Sequence, residues 1–169
     1  MKNLSLVLFF ALLLIILISS CEKDNIQNPN VKVDHALVLE LYDKATDTII
    51  IETHKYFLET YLCRDFQPIS PPNGKPLSSI NYLVRADSNA IPTNIKLKLQ
   101  YVVNSDSVWI ANYLNNTRQT PEFKQFKIST NGPKWGPHIF VNIIAIITDT
   151  IANRDYFIKQ SNAFISRTD

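Results

Sequence analysis

Residues 95–103 read Ile95-Lys96-Leu97-Lys98-Leu99-Gln100-Tyr101-Val102-Val103. Ile95, Leu97, Leu99, Tyr101 and Val103 alternate with Lys96, Lys98, Gln100 and Val102. In an extended chain successive side chains point to opposite faces, so a period of two predicts a β-strand with one face in a core and the other mostly wet. Asn104-Ser105-Asp106-Ser107 is turn chemistry, and Val108-Trp109-Ile110 follows it, which reads as a hairpin.

The same period extends outward in both directions. Upstream, Ile80, Tyr82, Val84 and Ala86 alternate with Asn81, Arg85 and Asp87. Leu37, Leu39 and Leu41 alternate with Val38, Glu40 and Tyr42, and after a turn at 44–47 a further strand begins at Ile49-Ile50-Ile51. Residues 55–66 fit either a helical stripe or a strand; their aromatics and Thr60 favour strand. Pro68, Pro71, Pro72 and Pro76 then force a loop. Downstream, a weaker strand centres on Phe126 and Ile128. The nearly unbroken apolar run 139–147 suits a central strand, and a turn at 149–154 leads to Tyr156-Phe157-Ile158. A last short strand holds Phe164 and Ile165. Seven to nine short antiparallel strands with almost no helix predict an all-β fold. An immunoglobulin-like β-sandwich is expected, lacking the Cys…Trp…Cys spacing of antibody domains, with a small β-barrel as the alternative.

The N-terminus has a different character. Met1-Lys2-Asn3 precedes an apolar run from Leu4 to Ile18, then Ser19-Ser20-Cys21, then the polar Glu22-Lys23-Asp24-Asn25. The run is short for a membrane span, which needs about 20 apolar residues, and suits the apolar region of a signal peptide. Ile18-Ser19-Ser20-Cys21 resembles the lipobox of bacterial lipoproteins. The resemblance implies that residues 1–20 are removed and that Cys21 carries the lipid. Residues 21–34 then form a flexible tether, and 35–169 form a single domain. Glu22, where an Asp would signal inner-membrane retention, points to the outer membrane, at its periplasmic face or the cell surface. Lys23-Asp24 resembles part of the export tag of surface lipoproteins in Bacteroidota.

Without residues 1–20 the 17 basic side chains lose only Lys2, so 16 face 15 acidic ones and the mature charge is near neutral. That argues against a nucleic-acid partner. With Cys21 carrying lipid, Cys63 is the one remaining thiol, so an intramolecular disulfide is excluded and a buried, inert thiol is expected.

Candidate chemistry is sparse. His35, His54 and His138 show no metal-ligand spacing, and there is no nucleophile motif or Gly-rich loop. No catalytic residue, metal or cofactor is therefore expected, and the chain is read as a non-enzyme. The best binding candidate is the loop 131–138, where Trp135 stands between Pro133 and Pro137 beside Lys134 and His138. A ring on a braced turn can stack on a sugar or anchor a peptide; the competing reading folds Trp135 inward to plug one end of the sandwich. Arg64-Asp65, before the Pro-rich loop, suggests a local ion pair or a backbone cap. Gly74, Gly132 and Gly136 are expected to supply positive φ in turns. The triplets ending in Thr48-Ile49, Ser107-Val108 and Thr150-Ile151, each preceded by Asp, resemble the O-glycosylation signal of exported Bacteroidota proteins. They mark Thr48, Ser107 and Thr150.

Three further stretches carry a resemblance of their own: Tyr61-Leu62-Cys63-Arg64-Asp65-Phe66-Gln67-Pro68, residues 69–77, and Asn131-Gly132-Pro133-Lys134-Trp135-Gly136-Pro137. Together they are similar to a family of small Bacteroidota lipoproteins, over roughly residues 48–169. The resemblance implies the same fold and address and assigns no catalytic residue. The expected partners are the membrane, through the lipid on Cys21, and an envelope protein or glycan. The expected role is a binding or assembly module, the alternative a carbohydrate-binding or enzymatic accessory around Trp135.

Overall fold

The computed structural model describes residues 29–115 and 118–169. Its elements in chain order are β1 (Val31–Val33), α1 (His35–Lys44), β2 (Thr48–Ile51), β3 (His54–Asp65) and β4 (Leu77–Arg85). Then come β5 (Ile95–Asn104), β6 (Ser107–Asn112), β7 (Lys124–Gly132), β8 (Phe140–Asp149) and β9 (Arg154–Thr168). The strands follow the order β1-β6-β5-β8-β9-β3-β4-β7, with β2 on β3. The all-β expectation holds. The sheet curls around one core into a half-barrel, between the sandwich and the closed barrel that the sequence left open.

Strand β9 makes the curl. Its first part pairs antiparallel with β8 (Asp149↔Arg154 to Ile143↔Gln160), and its last residues pair parallel with β3 (Leu62↔Ile165 to Asp65↔Thr168). The bend lies between Gln160 and Ala163, where β9 has one residue more than β8 and Asn162 takes φ 54°. A bulge of this kind bends the strand that carries it, and Asn tolerates the left-handed conformation. The Asn142 side chain fixes the spot by accepting from the Asn162 N–H at 3.0 Å. The two short strands expected near 156–158 and 164–165 are thus one long strand with a bulge between its halves.

A second bulge corrects the reading of 95–103. Leu97 pairs with Ile147 and Leu99 with Ile146, so Lys98 is the extra residue. The alternation inverts there. Ile95 and Leu97 face the main core, but beyond the bulge Gln100 and Val102 do so. Gln100 is 0 % exposed, on a face expected to be wet. The Ser79 Oγ donates to its Oε1 at 2.9 Å, the Asn81 Nδ2 donates to the same oxygen, and Asn81 also reaches the Tyr113 hydroxyl at 3.0 Å. This polar layer joins β4 to β5 across the interior, and burial pushes the Tyr113 hydroxyl pKa up.

The other face of β5 carries Val103 and is covered by α1, which replaces the strand expected at 37–42. Asp34 caps it, accepting from the Leu37 N–H at 2.9 Å, and Glu40 pairs with Lys44 one turn on at 2.6 Å. The buried positions are Val38, Leu41 and Ala45, a helical stripe that packs on Val103, Val108 and Ile144. Leu39, which completed the apparent alternation, is exposed. The ordered domain also begins before residue 35. Within the stretch expected as tether, β1 pairs with β6 (Val31↔Trp109 to Val33↔Ser107), and Val31 packs on the core.

Candidate functional site

Two proline-containing loops, 66–76 and 133–139, lie at one end of the half-barrel, and a single side chain holds both. On β3, Tyr56, Leu58 and Leu62 point inward, and Arg64 shares their parity, so its guanidinium is driven into the interior at 1 % exposure. It donates to backbone carbonyls of both loops: Nε to Lys75 at 3.0 Å, Nη2 to Asn73, and Nη1 to Lys134 at 3.2 Å and Gly136 at 2.7 Å. Carbonyls that no ladder could satisfy are thereby paired. Burial lowers the Arg64 pKa, but a guanidinium stays charged in proteins. Phe66 lies 5.0 Å from the guanidinium carbon, over Gly74, where a Cβ would come within 2.7 Å of the ring. Arg64 is a backbone cap, and Asp65 pairs with Lys75 at 2.6 Å instead of with Arg64.

This clamp sets the 131–138 loop. Trp135 is half-buried and packs on the core with Ile139, while Lys134 and His138 are exposed. The His138 ring lies 5.9 Å from that of Phe164. Gly74 and Gly136 take positive φ as expected, whereas Gly132 is kept for space: a Cβ there would stand 2.7 Å from the Trp109 ring.

The other marked residues lie apart. Thr48 is exposed at the start of β2, Ser107 is half-buried opposite Asn104, and Thr150 is exposed, its hydroxyl donating to the Asn94 carbonyl at 3.2 Å. Asp149 is buried and accepts from Asn94 Nδ2 (2.8 Å) and from the N–H groups of Ile151 and Ala152, which hold its carboxyl below the usual range. Cys63 is half-buried and burial raises its pKa, away from a reactive thiolate. Cys21 lies outside the described residues. Among the described residues no three His, Cys, Asp or Glu side chains gather as metal ligands, and no helix is long and apolar enough to cross a membrane.

The feature that sequence reading missed is the outer face of β3, β4 and β7. Residues of the outward parity there form cross-strand rows: Phe57 with Val84, which is buried, Glu59 with Tyr82 and Phe126, and Tyr61 with Ile80 and Ile128. The last row continues at both ends. Beside Tyr61, Phe164 leads to Phe140, its cross-strand partner with ring centroids 5.2 Å apart. Beyond Ile128, whose carbonyl accepts from the Leu114 N–H, lies the exposed Leu114. Tyr61, Phe140 and Phe164 are 54 %, 63 % and 44 % exposed. Among the described residues no helix covers this face. The signal was present in the strand parity, which puts Tyr61 opposite to Leu62 and Phe164 opposite to Ile165.

Family models, curated proteins and solved structures were all compared with the chain, and none matches.

Proposed function

We propose that the chain is a lipid-anchored module of a bacterial cell envelope, carried on the outer membrane, that binds or assembles with an envelope partner. The observation that carries this reading is Ile18-Ser19-Ser20-Cys21 at the end of the apolar run from Leu4, followed at once by the polar Glu22-Lys23-Asp24-Asn25. Only Cys offers the thiol that the acyl transfer needs. Each buried methylene contributes about 0.8 kcal/mol, and stable anchoring takes more than one chain, which the three acyl chains of such a lipoprotein supply. An assembly role is favoured over a sugar platform at Trp135 because that ring is half-buried against the core.

The test is cross-linking in intact cells of the native host, comparing the wild-type chain with Cys21→Ser. A discrete cross-linked partner that is lost with Cys21→Ser supports an anchored assembly module. Turnover of an envelope or glycan substrate by the purified protein, with no partner captured, would replace it with the accessory-enzyme reading.

A further inference from the structure

We propose that the outer face of β3, β4 and β7, extended by Phe140 and Phe164, is the surface that the domain lays on the lipid bilayer. The proposal rests on the lipid-anchor reading above and adds an orientation to it.

The first observation is the asymmetry between faces. The outer side of β5 and of β8 around Ile144 is covered by α1, whereas Phe140, Phe164, Tyr61 and Leu114 are exposed and Ile80 and Ile128 half-buried between them, with no helix over the row among the described residues. Three aromatic rings left this open need an occupant, since contiguous exposed apolar surface marks an interaction site. Tyr61 suits a membrane interface, where an amphipathic ring can bury its body and keep its hydroxyl wet.

The second observation is where the N-terminal segment joins the domain. Pro29 and Asn30 line one cavity together with Leu114, Thr130 and Asn131, so the chain arrives at the Leu114 end of this row. Cys21 precedes Pro29 by eight residues, a reach of about 27 Å at full extension. Six positions across neighbouring strands span about 24 Å. A lipid on Cys21 therefore holds the domain within about its own breadth of the bilayer, with the Leu114 end of the row beside the point where the chain enters.

Shape selects lipid over a second copy of the chain. The curl makes the face convex, and two rigid convex faces meet along a line, whereas a fluid interface conforms to either. Arg118 stands over the Phe126 ring and Lys124 over that of Tyr82, with Glu59 paired to Lys124 and the exposed Glu122 beside both cations. Cationic side chains set against aromatic rings suit the phosphate level of a bilayer.

The experiment uses the full lipoprotein purified from its host and reconstituted in phosphatidylethanolamine–phosphatidylglycerol vesicles. In a Cys63→Ser background, Tyr61→Cys, Phe164→Cys and, on the opposite side, Leu39→Cys are each labelled with a polarity-sensitive fluorophore. All three side chains are exposed, so labelling leaves the core intact. Brominated acyl chains should quench the labels at 61 and 164 and leave the label at 39 unchanged. An acylated protein whose three labels respond alike overturns the orientation and leaves the anchor standing. Labels at 61 and 164 that are shielded yet unquenched, with a cross-linked pair of chains, assign the face to a second copy and also overturn it. A protein with no acyl mass on Cys21 removes the anchor itself, and the orientation with it.

Discussion

Replacing Arg64 by Met tests the architecture at its most concentrated point. Met nearly matches the volume but removes every donor, leaving the carbonyls of Asn73, Lys75, Lys134 and Gly136 without their partner. A hydrogen bond to a charged group contributes about 1.5–3 kcal/mol net. The four do not simply add, because the mutant no longer desolvates a guanidinium. A buried acceptor left unpaired costs about 1–3 kcal/mol, so with four carbonyls losing their donor and the relieved desolvation set against them we expect Arg64→Met to cost about 3–5 kcal/mol. Against a total stability of about 5–15 kcal/mol that is a large share. Arg64→Lys should recover only part of the loss, because one ammonium cannot span the fork that reaches two loops. Urea unfolding followed by circular dichroism measures the loss, and hydrogen exchange should rise together in 66–76 and 133–139. A change within about 0.5 kcal/mol, the range of ordinary surface substitutions, or faster exchange in only one loop would refute the clamp.

Gly132→Ala should cost about 1–3 kcal/mol by overpacking, because its Cβ would stand 2.7 Å from the Trp109 ring; the shift of the urea midpoint measures it. Trp135→Ala should cost about 2–3 kcal/mol, below the about 3–5 kcal/mol of a fully buried ring, because Trp135 is half-buried on the core; an unchanged midpoint would return it to the surface. Asp149, Asp155 and Asp87 all have carboxyls held below the usual range, chiefly by hydrogen bonds from Asn94, Thr148 and Arg85 respectively. A depressed folded-state pKa stabilises above the unfolded value of about 3.9 and is lost as pH falls through the folded value. The melting temperature should therefore hold from pH 7 to about 5 and fall below about 4, less steeply in Asp149→Asn. The proposed glycosylation predicts added sugar mass on the native-host protein that falls when Thr48, Ser107 and Thr150 are replaced by Ala, and an unmodified mass ends it.

Several strands were legible from alternation or an apolar run, although β1 was hidden in the stretch read as tether. Lys96 and Lys98 against Ile95 and Leu97 identified β5, and the aromatics of 55–66 identified β3 despite a helical alternative. What defeated pattern reading was register and context. A bulge leaves no mark in composition, so the inversion at Lys98 that buries Gln100 could not be seen, nor could the bend that joins both halves of β9. In α1, leucines at 37, 39 and 41 imitated a strand, although Asp34 as a cap and the Glu40–Lys44 pair were available signals for a helix. At the 131–138 loop the sequence showed Trp135 and its prolines, but not the buried Arg64 that braces them from 70 residues away. Its parity with Leu62 pointed inward, yet a charged residue is ordinarily read as facing water.

The proposed anchor leaves a covalent mark, a lipid on Cys21 that holds the domain on a membrane. The most direct measurement is mass spectrometry of the N-terminal peptide released from the protein isolated from its native envelope. The expected result is a peptide that begins at Cys21 and carries acyl mass. A peptide that retains residues 1–20, or one that begins elsewhere with Cys21 unmodified or absent, would contradict it.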